Sequence, residues 1–424
     1  MTLKDNILAN YLGTAVIALA PVLALPYYLH ALGAELWGLV SFITTLTIVL
    51  SLLDAGLSQA LVREFSAVEN DEEKKSRLGT LLFGFECIYW GFAIFAGIIL
   101  FLLSAPILNS WLELGSLDSS YGMLAITGAA ALMLFQPPGS LYRSLLVGTQ
   151  SQVLLNKIMV FGSILKHLGG VLLVTKIPFL STYLIWLVFN VALETFIRSV
   201  FAWRTISLTR SDTGWNGAVM KKTFRPTVTM TIATILGALT IQMDKIVLSG
   251  MVSIESFGYY AIASTVSLGV LQMMYPILTA VTPYAFNFAN KPRELRAFSF
   301  KYAKLVLTLV FLSSGLFYLF GNSLLIWWLR SEQFAAQVYP ILGVLLIGTA
   351  LNFLYTVGYI NWFVKAQTTK IMQVNMLSFI LSVVLIPLFI TKLGVMGASV
   401  GWLAINAIGL LLSIGWLKSQ KDKK

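Results

Sequence analysis

Ionisable side chains inside long apolar stretches are the residues of this sequence that could do chemistry. Lys166 and His167 lie in the middle of one such stretch, Glu86 lies in another, and Asp244 and Lys245 lie near the end of a third. A charge at the bilayer centre costs about 2.5–3.5 kcal/mol on the insertion scale, so such groups normally face a protein interior or a wet cavity. We therefore expect Lys166 and His167 to line a cavity, with a buried structural pair as the alternative.

The other charged groups of these stretches have two interpretations each. Glu86 is either a counter-ion to Lys166 or a protonatable coupling group. Asp244 and Lys245 form either a structural anchor or a functional pair, and Asp244 ends a stripe of small and polar residues. The stripe consists of Thr229, Ala233, Gly237, Thr240 and Asp244. Glu194 and Arg198 are four residues apart on a helix, which favours a local ion pair.

A second group of candidates comes from aromatic spacing and from helix ends. Asn352, Tyr355, Tyr359 and Trp362 recur at helical steps, and such rings can stack on sugars or form an interfacial aromatic belt. Three further charged residues lie at or near the predicted cytoplasmic helix ends: Asp54, Arg63 and Arg143.

The elements that position these residues are membrane helices. The chain of 424 residues is 58% hydrophobic and only 11% charged, with a mean hydropathy of +0.83, which excludes soluble domains, disorder and a secreted disulfide scaffold. Each span needs about 20 apolar residues. Twelve stretches qualify, at about 7–29, 36–58, 79–103, 121–146, 154–175, 181–203, 227–249, 257–283, 304–326, 338–363, 373–391 and 396–417.

The distribution of basic residues gives the orientation and explains the net charge of +11. When alternate loops are assigned to the two sides, 23 of the 29 Lys and Arg residues fall on one side. Lys and Arg accumulate in cytoplasmic loops, so both termini are predicted to be cytoplasmic. The excess is then explained by topology and by anionic lipid headgroups, and we expect no nucleic-acid partner.

Two weak similarities indicate an internal repeat. Leu32-Gly-Ala-Glu-Leu-Trp-Gly matches Val252-Ser-Ile-Glu-Ser-Phe-Gly at an offset of 220, and Gly148-Thr-Gln-Ser is set against Ala366-Gln-Thr-Thr. We predict an all-α integral membrane protein in which twelve transmembrane helices form two pseudo-symmetric six-helix lobes around a central cavity. The predicted parts are lobe 1–203, cytoplasmic linker 204–226, and lobe 227–424 with a short basic tail.

The sequence disfavours an enzyme. The loops are short, and the largest outer loop offers only Glu113 and Asp118, which are best explained as solvated loop residues. The lone Cys87 gives neither a disulfide nor a thiolate metal site, and we expect no cofactor.

Several sequence runs resemble polysaccharide exporters of the Wzx type. These are Asp54-Ala-Gly-Leu, Leu61-Val-Arg-Glu, Gln242-Met-Asp-Lys-Ile-Val-Leu and Phe257-Gly-Tyr-Tyr. Wzx proteins share a superfamily with multidrug extrusion (MATE) proteins and with the lipid II flippase. That flippase characteristically has fourteen helices, whereas this chain supports twelve, which favours the Wzx type.

The resemblance implies a flippase that carries an undecaprenyl-diphosphate-linked oligosaccharide, such as an O-antigen unit of lipopolysaccharide, across the bacterial cytoplasmic (inner) membrane by alternating access. Arg63, Arg143 and Lys166 would contact the diphosphate, while Glu86, Asp54 or His167 could carry a coupling proton, with Na⁺ as the other candidate ion. A polysaccharide polymerase and a chain-length regulator are implied partners, and we expect a monomer in contact with membrane lipids.

Three alternatives stay open at this stage. Within and near the spans, the numbers of cations and acids are equal, so the sign of the cavity potential is undecided. The four cations are Arg143, Lys166, Arg198 and Lys245, and the four acids are Asp54, Glu86, Glu194 and Asp244. A net-negative cavity would favour a MATE-like multidrug antiporter. A glycan-assembly enzyme would need paired acids or a metal, and a passive scaffold would tolerate neutralisation of Lys166.

Overall fold

The structure is a computed structural model that describes residues 3–66, 72–210, 213–217, 220 and 228–417. Eleven long helices hold most of these described residues and bear out the expected all-α fold. They are α1 (Leu3–Ser66), α2 (Glu72–Leu102), α3 (Ser119–Gly148), α4 (Gln152–Lys176), α5 (Leu180–Ile206), α6 (Val228–Ser249), α7 (Ile254–Phe286), α8 (Pro292–Leu329), α9 (Glu332–Val364), α10 (Thr368–Leu393) and α11 (Val395–Ser413). Among described residues, nine helices are long and apolar enough to cross a membrane, so the protein is a multi-pass membrane protein.

The predicted spans fall on these eleven helices because α1 contains the first two. Its two halves meet at Gly33, whose φ of 78° and ψ of 172° are not helical. Only glycine adopts this backbone conformation readily, so the sequence places a glycine at the break. The first two spans therefore join without the loop that the apolar runs suggested.

The outer loop before α3 has a structural role for one of its carboxylates. Asp118 is the N-cap of α3, and its Oδ1 accepts a hydrogen bond from the backbone N–H of Ser120 at 2.7 Å. Hydrogen bonds from Ser120 lower the pKa of Asp118 below its usual range. Capping of this kind satisfies a helix N–H that would otherwise lack a partner.

Two compact units divide the chain, Met1–Leu239 (unit 1) and Thr240–Lys424 (unit 2). In unit 1, α3 packs against α1, α2 and α5, and 16 of its residues, Tyr142 among them, are buried. In unit 2, α9 packs against α7, α8 and α11. The division falls inside α6, and the predicted lobe boundaries at 203 and 227 stay predictions.

The same type of turn follows α3 in unit 1 and α9 in unit 2. After α3, the N–H of Gln150 bonds to the carbonyl of Val147 and that of Ser151 to that of Leu146. After α9, the N–H groups of Ala366 and Gln367 bond in the same way to the carbonyls of Phe363 and Trp362.

Both turns are Schellman motifs closed by a non-glycine residue in the left-handed region, with φ 58° at Gln150 and 52° at Ala366. The pairing of Gly148 with Ala366 inferred from sequence is thus shifted by two residues: Gln150 is the structural counterpart of Ala366.

Close packing of α9 on α11 predicts a large effect of one methyl group. A Cβ added at Gly358 would overlap the Cβ and carbonyl oxygen of Ser413, whereas a Cβ at the exposed Gly91 meets no described atom within 4 Å. We expect Gly358→Ala to cost about 1–3 kcal/mol through overpacking and to lower the thermal unfolding midpoint in detergent. Gly91→Ala is the control and should leave the midpoint unchanged or slightly raised. Equal midpoints for the two variants would contradict this packing.

Candidate functional site

A group of charged residues on α3, α4 and α5 of unit 1 forms the candidate site. This cationic cluster consists of Arg143, Lys166, Glu194 and Arg198. Arg198 is ion-paired with Glu194 one helical turn away, as the i, i+4 spacing predicted. Its Nη1 also donates to the carbonyl oxygen of Gly139 on α3 at 3.4 Å.

Arg143 lies one helical turn after Gly139 on α3, so it is on the face of α3 that contacts Arg198. The carboxyl of Glu194 lies over Gly162, where a Cβ would stand 3.2 Å from the carboxyl carbon. Gly162 precedes Lys166 by four residues on α4, so both lie towards the same neighbour, α5.

The cluster runs from one helix end towards the middle of unit 1. With a rise of about 1.5 Å per residue, Arg143 lies roughly 8 Å, Arg198 roughly 12 Å and Lys166 roughly 21 Å from the predicted cytoplasmic ends of their helices. The cations are therefore staggered in depth along the bundle.

The structure also resolves which charges neutralise one another. Asp244 is paired with Lys245, and Glu86 is paired with Arg210. The cationic cluster contains three cations and one carboxylate, Glu194, so its described side chains carry a net positive charge.

Lys166 and His167 lie on a π-helical turn, Leu165–Gly169, which the sequence reasoning missed. Trp186 Nε1 donates to the carbonyl of Lys166 at 3.0 Å, and the Tyr28 hydroxyl donates to that of His167 at 3.2 Å. The buried Nδ1 of His167 has no hydrogen-bond partner among described residues. Single π-turns often mark functional sites.

Small residues make room for these donors. A Cβ at Gly170 would come within 2.5 Å of the Tyr28 hydroxyl oxygen, and Gly169 lies against the Trp186 ring. The two adjacent glycines of the run Lys166-His-Leu-Gly-Gly could therefore have indicated this close packing from the sequence.

Glu86 has a different partner from the one expected. Arg210 binds it through Nη2 at 2.6 Å and Nε at 3.0 Å, and Tyr142 donates a short hydrogen bond to it. Of its two interpretations, the counter-ion to Lys166 is replaced by a counter-ion to Arg210, and the role as a coupling group stays a prediction. Arg210 lies beyond the end of α5, 124 residues from Glu86, so no local spacing could show the pair.

Asp244 and Lys245 form a buried ion pair in unit 2, with 3% and 8% exposure. Lys245 Nζ lies 3.2 Å from Asp244 Oδ1, and the Tyr260 hydroxyl donates to Asp244 Oδ2 at 2.5 Å. These contacts support a structural anchor, and a role in transport stays a prediction. Thr229 and Ala233 of the same stripe have side chains outside the described set.

The aromatic stripe of α9 is partly interior. Asn352 Nδ2 donates to Asn406 Oδ1 of α11 at 2.7 Å, and Tyr355 lies 6.3 Å from Tyr359 between ring centroids. Trp362 is only 9% exposed. A belt position requires contact with headgroups, so that interpretation of Trp362 is wrong. The sugar-stacking role of Tyr355 and Tyr359 stays a prediction.

The remaining candidates lie at the end of α1. Arg63 is in its last turn with 66% of its side chain exposed, 4.0 Å from the carboxylate of Glu64. The Asp54 side chain is outside the described set, so its proposed coupling role stays a prediction.

Comparison with known proteins assigns the family. The profile of the family described as "Polysaccharide biosynthesis protein" matches residues 3–288, more than half of the chain. The chain belongs to this family. No curated protein gives a significant match.

Solved structures share the fold at low sequence identity. The lipid II flippase MurJ in an inward closed conformation superposes with a TM-score of 0.73 at 17% identity, covering 97% of this chain and 87% of its own. An inward-facing multidrug resistance MATE transporter of the MOP superfamily gives 0.70 at 14% identity, covering 96% and 92%.

A third similar structure is a transporter that is described by the polarity of its binding pocket. It is a MOP-superfamily transporter from Pyrococcus furiosus, described by a reverse polarity of its binding pocket, with a TM-score of 0.57 at 12% identity and coverage of 97% and 94%. The family is thus one of polysaccharide biosynthesis, and the fold is that of membrane transporters.

The Glu86–Arg210 pair predicts non-additive effects on stability. Arg210→Ala would leave a carboxylate that is only 9% exposed without its cation, at a cost of about 1–3 kcal/mol. We expect a lower thermal unfolding midpoint for Arg210→Ala, and recovery of much of the loss in Arg210→Ala/Glu86→Gln. A double-mutant cycle in detergent measures the coupling. Additive effects of the two substitutions would contradict the pair.

Proposed function

We propose that this protein is a flippase that moves an undecaprenyl-diphosphate-linked oligosaccharide from the cytoplasmic to the periplasmic leaflet of the bacterial inner membrane. The observation that carries the proposal is the cationic cluster, with three cations staggered from the predicted cytoplasmic end to the middle of unit 1. The family is consistent with such a cargo because polysaccharide repeat units are assembled on lipid carriers.

The chemistry of the cluster suits a diphosphate. Phosphoryl oxygens accept hydrogen bonds from guanidinium and ammonium groups, and arginine can present two parallel donors to them. In the absence of cargo, Glu194 supplies the negative charge that Arg198 needs. An arriving diphosphate would replace that carboxylate as the partner of Arg198 and would supply negative charge to Lys166 as well.

The other parts of the cargo need different surroundings. The polyprenyl tail would remain in the bilayer, against the apolar faces that the helices expose, such as Phe311 and Tyr318 of α8 with 79% and 81% exposure. The sugars would be contacted by amide and aromatic groups, for which Asn352, Tyr355 and Tyr359 are our candidates.

Transport in this proposal proceeds by alternating access of the two lobes in one monomer, with both termini cytoplasmic. Coupling to a proton or sodium gradient is part of the proposal, with His167 as a candidate carrier because its Nδ1 is buried without a described partner. The protein would hand its cargo to a polysaccharide polymerase and chain-length regulator.

Complementation in the native host tests this function. In a strain that lacks this protein, wild type should restore surface polysaccharide, while Lys166→Ala and Arg143→Ala should reduce it by at least about tenfold at matched membrane levels, because each removes a phosphate contact. Arg204→Ala is the matched control, since this exposed arginine lies on α5 outside the cluster.

The outcomes separate the function from the site. Failure of wild type to restore surface polysaccharide would contradict the flippase and turn attention to drug-efflux assays. Restoration by wild type and by both cluster variants would retain the function and reject the cationic cluster as its site.

A further inference from the structure

The chain that follows α5 folds back onto unit 1. Its described residues 207–210, 213–217 and 220, which we name the latch, begin at Ser207 with a left-handed φ of 55°. Leu208 and Thr213 lie against Gly79 of α2, where an added Cβ would stand 2.8 Å from Leu208 Cδ1 and 3.8 Å from Thr213 Cβ. The latch therefore covers α2 near its predicted cytoplasmic end.

Met220 ends the latch in the hydrophobic core of unit 1. It is 4% exposed and belongs to the same core as Leu81, Phe85 and Trp203. Its Sδ would lie 2.7 Å from a Cβ at Gly84. The two glycines on α2, Gly79 and Gly84, thus form the seat on which the latch packs.

One ion pair fixes the middle of the latch. Arg210 binds both carboxylate oxygens of Glu86, donates to Ser199 Oγ at 3.0 Å, and lies over the Trp203 ring at 5.3 Å. Since Glu86 is on α2 and both Ser199 and Trp203 are on α5, this one guanidinium joins the latch to two helices. Tyr142 on α3 joins the same group through Glu86.

The latch is attached far more lightly than a transmembrane helix. The Arg210 side chain is 55% exposed, against 9% for Glu86, and most other described latch residues are exposed. Detachment requires that Met220 leave its seat, that Leu208 and Thr213 leave Gly79, and that Arg210, already half in water, leave Glu86, Ser199 and Trp203. Segments with few buried contacts are those that open most easily.

The latch also adjoins the cationic cluster. Tyr142 and Ser199 belong to the Arg210 network, and the residues next to them in sequence, Arg143 and Arg198, belong to the cluster. Successive residues on a helix lie on neighbouring faces, so the two groups share the same turns of α3 and α5.

We propose that the latch is a conformational gate: it closes the predicted cytoplasmic end of unit 1 when Arg210 is bound to Glu86, and it detaches once in every transport cycle. The need for a cycle rests on the proposed function, whereas detachment is a property of this chain that can be measured without transport.

A reversible disulfide tests whether the latch must detach. The separation of 3.8 Å between the Cβ built at Gly79 and Thr213 Cβ is that of a normal disulfide. Gly79→Cys/Thr213→Cys is made in a Cys87→Ser background, because Cys87 is the one native cysteine and is exposed. Proteoliposomes receive lipid-linked oligosaccharide from the native host, and its exposure on the opposite leaflet is followed before and after oxidation.

We expect oxidation to form the disulfide and to reduce transport by at least about tenfold, with recovery on reduction, because a fixed latch cannot open. The reduced form of the same protein is its own control. Unchanged transport with a fully formed disulfide would show that the latch is a fixed strut, and failure to form the disulfide would contradict the contact itself.

A labelling experiment separates the latch from the proposed function. With Thr213→Cys in the Cys87→Ser background, a membrane-impermeant maleimide should react at least about threefold faster when Glu86→Gln removes the ionic partner of Arg210, since the latch then opens more often. Glu332→Gln, an exposed acid at the start of α9, is the control. Equal rates in all three proteins would overturn the latch, whether or not the protein transports.

Discussion

The cost of placing charge in hydrocarbon is the constraint on which the rest of this structure depends. Three carboxylates within the helices have a basic partner: Glu86 has Arg210, Glu194 has Arg198, and Asp244 has Lys245. An ion pair offsets the free-energy cost of placing a charged side chain away from water, and it fixes the position of that side chain in the fold. The cations that exceed these pairs, Lys166 and Arg143, are then the groups with charge to offer a cargo. These two cations, and not the total charge of the chain, would bind the diphosphate in the proposed function.

The same constraint explains what the sequence could reveal. Apolar run length is a local property, and it located every described helix. The ends are less accurate: α1 ends 8 residues after the second predicted span, and α2, α9 and α8 begin 7, 6 and 12 residues before theirs. The Glu194–Arg198 pair is equally local, since the two residues are one turn apart. The break at Gly33 and the π-turn at Lys166 are backbone geometries that the spacing of apolar residues does not encode. The partner of Glu86 lay 124 residues away, which only the folded chain could show.

The two units resemble each other more in the backbone geometry of one turn than in the identity of its residues. Gln150 and Ala366 share a left-handed backbone and the same pair of hydrogen bonds, yet they have no chemistry in common. Unit 1 contains the π-turn and the cationic cluster. Unit 2 contains the Asp244–Lys245 ion pair, whose charges cancel, and the amide and aromatic side chains of α9. The two units thus differ in polarity, and the proposed cargo also combines a charged diphosphate with neutral sugars.

Binding by the purified protein tests the central claim most directly. Affinities should be compared for one oligosaccharide carried on undecaprenyl diphosphate and on undecaprenyl monophosphate, in wild type and Lys166→Ala, over a range of salt concentrations. The cluster predicts that wild type prefers the diphosphate by at least about tenfold, that salt weakens this preference, and that Lys166→Ala reduces it. Equal affinity for the two lipids, or a preference for cationic ligands, would contradict the account.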